Sequence, residues 1–405
     1  MTRQQEQKAG GRLEVAAAAV DDLERTSRED DETDVDDEDD DEPSFFTDPK
    51  RLLQTFAIVL VLVVAIYVLL PNLVGLEDAI EKLGQAKAIW IVIGLAFTVL
   101  MFFSYVALFR GVVGERTRLN WRESYEITLA GLAATRLFSA GGAGGIVLTY
   151  WALRKAGMPR RESANRMLAF LVLLYGVYLL TVVVVGILLR TGVFHGPAPP
   201  GLTVVPAAIS GGIIVLLALV TLVPSDFERR IARFAEGYRY QRWARRLATV
   251  PATLATGVRT AGTFIREPSR GGLAVMGAIG FWAANIGILW AAFHAYDVQV
   301  PLGVVIQGFF IGMVANLFPL APGGVGAVDA GMIGTFVLFG LDGATVFAAI
   351  LTYRLMAFWL PIPPGIVAFF QLRQTVQRWE REKRTRGKHR PASGFVPAIT
   401  SESEV

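Results

Sequence analysis

Residues 317–331, LFPLAPGGVGAVDAG, interrupt a long apolar region with two prolines, four glycines and a carboxylate. Pro319 and Pro322 remove backbone donors and stop a helix, while the glycines allow positive φ angles and close approach of other groups. Non-helical backbone at membrane depth is tolerated only inside protein or beside a wet cavity. The stretch therefore predicts a broken helix whose second part, from about residue 327, presents a positive N-terminal end to an anion.

The chain around this break has the composition of a polytopic membrane protein, with 53% hydrophobic residues among 405. Several apolar runs reach the roughly 20 residues that a helix needs to cross hydrocarbon. We predict full spans at 52–70, 88–109, 169–189, 204–223, 271–293 and 343–370, the last of which contains Arg354. The chain has no cysteine and three histidines. We therefore expect no catalytic residues, no metal site and no cofactor.

Acidic residues are concentrated at the N-terminus. Residues 1–48 hold 18 of the 36 acids and 5 of the 39 bases, and residues 29–42 form an almost continuous acidic run. Such a run repels itself and cannot bury a core, so we predict a disordered acidic tail. The rest of the chain, with 18 acids and 34 bases, carries the positive charge.

The basic residues mark the cytoplasmic side, because cytoplasmic loops are enriched in Lys and Arg. We predict a disordered cytoplasmic tail at 1–48, a transmembrane domain at 49–375 and a basic cytoplasmic tail at 376–405, in the cell membrane with both termini inside. Residues 224–270 hold ten arginines. Within this loop, residues 226–250 are predicted to form an interfacial amphipathic helix, and the alternative is a solvated connector whose apolar side packs on the protein.

Two apolar segments, 124–153 and 301–340, are each interrupted by glycines near the middle. The first lies between two basic loops and the second between two base-poor loops. A single crossing of either would violate the charge rule, whereas entering and returning on the same side would not. We therefore predict an all-α protein with six full transmembrane helices and two glycine-broken re-entrant hairpins. The alternative is eight crossings with one loop that violates the rule.

The two interruptions resemble each other. LFSAGGAGGIV begins at residue 137 and LFPLAPGGVGAV at residue 317. The glycines that align are Gly141, Gly142 and Gly144 with Gly323, Gly324 and Gly326. With the predicted topology this is the pattern of an inverted repeat, which places a substrate site near the midplane. The alternative is that the glycines only let helices pack closely.

Three charged residues lie at membrane depth: Arg136, Asp329 and Arg354. An intramembrane charge is costly and should face a partner or a cavity. We predict that Asp329 pairs with one of the arginines, and that Asn316 and Tyr353 line the same cavity. The alternative is a purely structural ion pair.

The arginines suit a phosphate, because a guanidinium binds two oxygens at once. We expect a translocase that moves an anionic or phosphate-bearing lipid between leaflets, with membrane lipids as partners and no nucleic acid. The alternative is an ion- or proton-coupled transporter of a small solute, in which Asp329 titrates. The candidate substrate-binding residues are Arg136, Gly141, Gly142, Gly144, Asn316, Pro322, Gly323, Gly324, Gly326, Asp329, Tyr353 and Arg354.

PGGVGAVDAG (322–331), followed by LTYRLMAFWLPIPPG (351–365), resembles the lysylphosphatidylglycerol synthase transmembrane region, also called the flippase-like or UPF0104 family. TRLFSAGGAGGIVLTYWALRKAGMPRRESANRM (135–167) resembles the first-half motif of that family. The resemblance implies movement of aminoacylated or glycosylated lipids between leaflets, sometimes by chains fused to a soluble transferase. It implies here a translocating part that is not an enzyme, with a separately encoded lipid-modifying transferase as a candidate partner.

Overall fold

The computed structural model describes residues 84–114, 119–138, 143–222, 241–317 and 324–388. These residues form α-helices with short 3₁₀ and π segments, and no strand occurs among them. The helices are α1 (Ala88–Val113), α2 (Trp121–Phe138), α3 (Ala143–Lys155), α4 (Arg160–Arg190), α5 (Pro200–Val220), α6 (Gln241–Arg266), α7 (Pro268–Ala295), α8 (Leu302–Met313), α9 (Ala327–Leu338), α10 (Gly343–Arg354) and α11 (Ile362–Lys388). The predicted all-helical class is confirmed.

Within the described residues, five helical stretches are long and apolar enough to cross a membrane. Helices α1, α4, α5 and α7 contain the predicted spans 88–109, 169–189, 204–223 and 271–293, except that α5 ends at Val220. The fifth stretch, Gly343–Glu382, contains the predicted span 343–370. The predicted span 52–70 and the tail 1–48 lie outside the described residues. The chain is thus a multi-pass membrane protein by the length and hydropathy of its helices.

Large apolar side chains cover the outside of these helices. Phe103 on α1 is 70% exposed and Leu216 on α5 is 61% exposed. In water such surfaces would associate, whereas in a bilayer they face lipid tails. Helices α1 and α7 pack together at the centre. A Cβ atom at Gly277 would lie 2.7 Å from Leu108 Cα, so glycine allows this close contact.

Each predicted broken segment consists of two helices. Helix α2 packs against α3, and α8 packs against α9. A 3₁₀ segment, Val314–Leu317, extends α8. A Cβ atom at Gly131 would lie 2.8 Å from Thr149 Oγ1, and one at Gly312 would lie 2.6 Å from Met332 Cα. Small residues thus bring the two helices of each pair into close contact.

The last span is not one continuous helix. Helix α10 ends at Arg354, a π segment follows over Leu355–Trp359, and α11 begins at Ile362. The Leu360 N–H donates to Leu355 O at 2.9 Å, five residues back. Pro361, which has no N–H, explains why the regular helix does not continue. The PIPPG sequence that follows Leu360 was the available signal.

Helix α11 also continues to Lys388, so part of the predicted basic tail 376–405 is helical. Trp379 Nε1 donates to Glu123 Oε1 on α2 at 3.3 Å, and Lys155 Nζ on α3 lies 3.0 Å from Glu380 Oε1. These contacts fix the end of α11 to the first helix pair. Residues 389–405 lie outside the described residues.

The basic loop 224–270 contains α6, which packs on α4 and α7. Ala255 and Ala261 are buried, and a Cβ atom at Gly257 would lie 2.5 Å from Leu168 Cβ on α4. The described C-terminal part of this loop therefore packs on the protein. Of the predicted amphipathic stretch 226–250, residues 226–240 lie outside the described residues, so its position at the interface or on the protein stays a prediction.

Candidate functional site

Helix α9 begins inside the second broken segment, where the sequence predicted a helix start. Gly326 is its N-cap residue, with φ of 81°, and Asp329 follows three residues later. The Gly326 N–H donates to Asp329 Oδ2 at 2.9 Å. A carboxylate at this position satisfies a backbone donor and lies favourably at the positive end of the helix dipole. The predicted anion at this helix end is thus supplied, in this structure, by Asp329 itself.

The second oxygen of Asp329 forms an ion pair with Arg354. Arg354 Nε donates to Asp329 Oδ1, and Arg354 Nη2 donates to Gly324 O at 3.1 Å. The two side chains are only 6% and 2% exposed. Of the two pairings that the sequence left open, the structure adopts the one with Arg354. The pair connects α9 with the end of α10.

Gly324 occupies a position that only glycine fits. Its φ is 68°, and a Cβ atom there would lie 2.6 Å from Asn316 Oδ1. The left-handed conformation is strained for other residues. It lets the Gly324 carbonyl accept from Arg354 while the Asn316 amide approaches from the 3₁₀ segment. Five predicted residues therefore meet in one cluster: Asn316, Gly324, Gly326, Asp329 and Arg354.

Arg136, near the end of α2, reaches across to the π segment. Its Nη2 donates to Ala357 O at 2.8 Å. In a regular helix that carbonyl would accept from the N–H of residue 361. Residue 361 is a proline, so the Ala357 carbonyl has no such donor and accepts from Arg136 instead. The break in the last span thus leaves the Ala357 carbonyl available to accept from Arg136.

The other terminal nitrogen of Arg136, Nη1, is buried and has no hydrogen-bond partner among the described residues. The residue is 9% exposed. Buried donors are nearly always paired, and an unpaired one calls for an explanation such as a bound ion or ligand. With Arg136 the group is called the Arg136 cluster below, and Arg136 Nη1 is its donor that lacks an acceptor among the described residues.

Phe358, on the π segment, lies near both arginines. The Arg136 Cζ atom is 5.4 Å from the ring centroid and the Arg354 Cζ atom is 5.0 Å from it. Both distances suit cation–π attraction. Sequence reasoning missed Phe358, although its position four residues after Arg354 beside the PIPPG sequence was the signal. The described cluster contains two guanidinium groups and one carboxylate, which leaves one positive charge in excess.

The remaining predicted residues lie at different distances from this cluster. The Tyr353 hydroxyl donates to Asn285 Oδ1 on α7 at 3.3 Å, so Tyr353 is held against another helix. Gly144 is half-buried in the first turn of α3. Gly141, Gly142, Pro322 and Gly323 lie outside the described residues.

The family comparison matches the chain over both broken segments. The model of the lysylphosphatidylglycerol synthase transmembrane region aligns with residues 49–365, which include Arg136, Asp329 and Arg354. The chain belongs to this family. The sequence resemblance is thereby confirmed, and the family member described here carries its buried charges in the region that defines the family.

Curated relatives are similar over shorter stretches. Three UPF0104 membrane proteins of Methanothermobacter thermautotrophicus strain Delta H align with this family member. One is 31% identical over 87 residues, and two are 28% identical over 86 and 91 residues. The alignments cover 21–22% of this chain and 26% of each relative.

Proposed function

We propose that the protein moves a phosphate-bearing, anionic lipid between the two leaflets of its membrane, with the phosphate bound by Arg136. The family name associates this region with lysylphosphatidylglycerol synthase, a lipid-related activity. The observation that carries the proposal is the buried, unpaired Nη1 of Arg136 in a cluster with an excess positive charge. A lipid phosphate supplies the missing acceptor and the missing negative charge together.

The roles of the two arginines differ in this proposal. Arg354 and Asp329 satisfy each other and fix α9 to α10. Both oxygens of Asp329 have partners, Arg354 Nε and the Gly326 N–H. This supports a structural role for Asp329, and thus lipid translocation over proton-coupled solute transport. The purely structural reading of the ion pair and a binding role for Arg136 are compatible.

We further propose that both broken segments are re-entrant. Helix α3 has 13 residues and α9 has 12, so at 1.5 Å per residue they are about 20 Å and about 18 Å long. The hydrocarbon core is about 30 Å thick, so neither crosses it alone. Helix α2 has 18 residues but is not among the candidate spans in the described residues. These lengths support two hairpins over eight crossings.

An inverted repeat is supported by which helices touch. In the proposed repeat α1 corresponds to α7, the pair α2–α3 to α8–α9, and α4 to α10–α11. Helix α1 packs on its counterpart α7, α2 packs on α11, and α8 packs on α4. The last two contacts exchange under the proposed two-fold axis, as expected for repeats that meet at a midplane site.

Orientation and partners complete the proposal. The basic loops support an orientation in the cell membrane with both termini in the cytoplasm. The membrane-embedded cluster offers lipid binding and no proposed chemical step, so we propose that any modification of the lipid is done by a separately encoded transferase. The protein itself would then be a transporter and not an enzyme.

The test is reconstitution in liposomes with a fluorescent phosphatidylglycerol in both leaflets and a membrane-impermeant quencher outside. Translocation moves inner-leaflet probe to the quencher, so the quenched fraction should rise above the level of protein-free liposomes. A fluorescent diacylglycerol, which has no phosphate, should show no protein-dependent change beyond its own fast exchange. Solute uptake driven by a pH gradient, without movement of the phospholipid, would overturn the proposal in favour of solute transport.

A further inference from the structure

A large cavity lies at the end of the protein where the basic loops meet, away from the Arg136 cluster. Its volume is about 1020 Å³. Arginines from several elements line it: Arg110, Arg161, Arg166 and Arg270. Three candidate spans, α1, α4 and α7, end or begin at its wall. Because helix ends of full spans lie at the level of the lipid head groups, the cavity lies at the membrane interface.

Two of the four arginines are already neutralised. Arg166 Nη2 lies 3.3 Å from Glu162 Oε1, and Arg270 Nη1 lies 3.1 Å from Glu267 Oε2. Arg166 also donates to the Val112 carbonyl at 2.7 Å. These contacts fix the wall of the cavity and contribute little net charge.

The other two arginines have no carboxylate partner among the described residues. Arg110 donates to the Leu119 carbonyl, and Arg161 is exposed at the start of α4. With the two ion pairs balanced, the lining retains two positive charges. Guanidinium groups that converge in a cavity of this size suit a phosphate and its substituents.

The uncharged lining combines apolar and aromatic side chains, including Trp121, Phe264 and Leu273, with the polar side chains of Asn165, Thr260, Thr263 and Ser269. Trp121 is 56% exposed and Leu273 is 42% exposed. Aromatic residues at this level are typical of the membrane interface. A purely polar ligand would leave these groups in water, whereas a lipid covers them with its glycerol and acyl chains.

We propose that this cavity is a second anion site, which binds the phosphate head group of a lipid at the interface through Arg110 and Arg161. The site is separate from the Arg136 cluster, and binding there does not require translocation. A result that rules out this second site would therefore leave the translocation proposal standing, and a result that rules out translocation would leave the second site standing.

The experiment measures binding of dioctanoyl phosphatidylglycerol to the full chain in neutral detergent by native mass spectrometry. Arg161→Gln should weaken binding about fivefold or more, because it removes one charge-assisted contact. Arg161→Lys should lose less, because it keeps the charge. Arg190→Gln is the matched control, since Arg190 is an exposed arginine at the other end of α4. The same comparison in an Arg136→Gln background removes the proposed lipid contact at Arg136, and the dependence of the remaining binding on Arg161 should persist there.

The source of the phosphate is decided by competition. If inorganic phosphate does not displace the lipid, the cavity recognises the head group within an amphiphile. If inorganic phosphate binds with the same dependence on Arg161 and displaces the lipid, the phosphate group alone suffices and the ligand is soluble. Equal phosphatidylglycerol binding by the unmodified chain, Arg161→Gln and Arg110→Gln/Arg161→Gln would overturn the site. So would an equal loss for dioctanoylglycerol, which has no phosphate.

Discussion

Arg136 and Arg354 both lie within cation–π distance of one phenyl ring, but only Arg354 has a carboxylate partner among the described residues. Within the same residues, Arg354 is held by Asp329 and the Gly324 carbonyl, and Arg136 by the Ala357 carbonyl. A buried ion pair neutralises itself at some cost in desolvation. A buried guanidinium without a carboxylate retains its attraction for an anion. This difference supports the proposal that Arg354 has a structural role and that Arg136 binds the lipid phosphate.

The first prediction concerns the ion pair. Arg354→Gln leaves the Asp329 carboxylate buried without its partner, which should lower the free energy of unfolding by about 3 kcal/mol or more. Adding Asp329→Asn removes that charge, so the double variant should be more stable than Arg354→Gln alone. Thermal unfolding of the purified variants in detergent measures both effects. A double variant less stable than the single one would contradict a mutually neutralising pair.

At the scale of single residues, the sequence indicated which residues form the site but not which arginine pairs with Asp329. The prolines, glycines and intramembrane charges around Asp329 predicted the break and an ion pair. Which arginine takes the carboxylate depends on the relative positions of α2, α9 and α10, and these are set by packing over long sequence distances. The Arg136–Ala357 contact joins residues 221 positions apart, which local patterns cannot report.

Pro361 links the last span to the first helix pair. It removes the donor that would satisfy Ala357 O, and that carbonyl accepts from Arg136. The π segment also places Phe358 within cation–π distance of both guanidinium groups. Proline inside a membrane helix is tolerated when other groups satisfy the freed backbone. The helix break at Pro361 therefore has Arg136 as the hydrogen-bond partner of its freed carbonyl, and it positions two groups of the site, Ala357 O and Phe358.

The second prediction tests this link. Pro361→Ala supplies an N–H that can bond to Ala357 O. This N–H competes with Arg136 for the carbonyl, so the variant should weaken the hydrogen bond that positions Arg136 and lower the rate of lipid translocation. Thermal stability should stay the same or rise, because a helix break is repaired. Pro364→Ala is the matched control. Pro364 lies in the first turn of α11, where the N–H has no partner within the helix, so translocation should be unchanged.

A translocation rate for Pro361→Ala equal to that of the unmodified protein would show that the Ala357 carbonyl is not needed to position Arg136. The sequence predicted a single span here, because 343–370 is long and apolar enough. A π segment leaves no distinct hydropathy pattern. Only the prolines after Leu360 indicated a change, and they fit an ordinary helix end equally well.

The proposed topology of the whole molecule rests on its charges and helix lengths. Arginines at the ends of α1, α4 and α7 surround one interfacial cavity, as expected if the basic loops share one side. The sequence predicted that common side from composition. It did not predict the cavity, because the lining residues come from elements up to about 160 positions apart, from Arg110 to Arg270.

The third prediction concerns the first hairpin. Single cysteines at Thr117 and Arg161 should both react with a membrane-impermeant maleimide from the cytoplasmic side, since the chain has no cysteine of its own. A cysteine at the exposed Gln299 should react only from the other side. Labelling of Thr117→Cys and Arg161→Cys from opposite sides would restore the eight-crossing topology and remove the basis for an inverted repeat.

The most direct measurement is the rate of phosphatidylglycerol translocation by Arg136→Gln in liposomes, compared with Arg136→Lys and with the control Arg190→Gln. A lost charge-assisted contact to phosphate should slow Arg136→Gln about tenfold or more. Arg136→Lys should retain an intermediate rate, and Arg190→Gln should match the unmodified protein. Size-exclusion profiles and melting temperatures establish that each variant is folded. A folded Arg136→Gln protein that translocates the lipid at the unmodified rate would contradict the account.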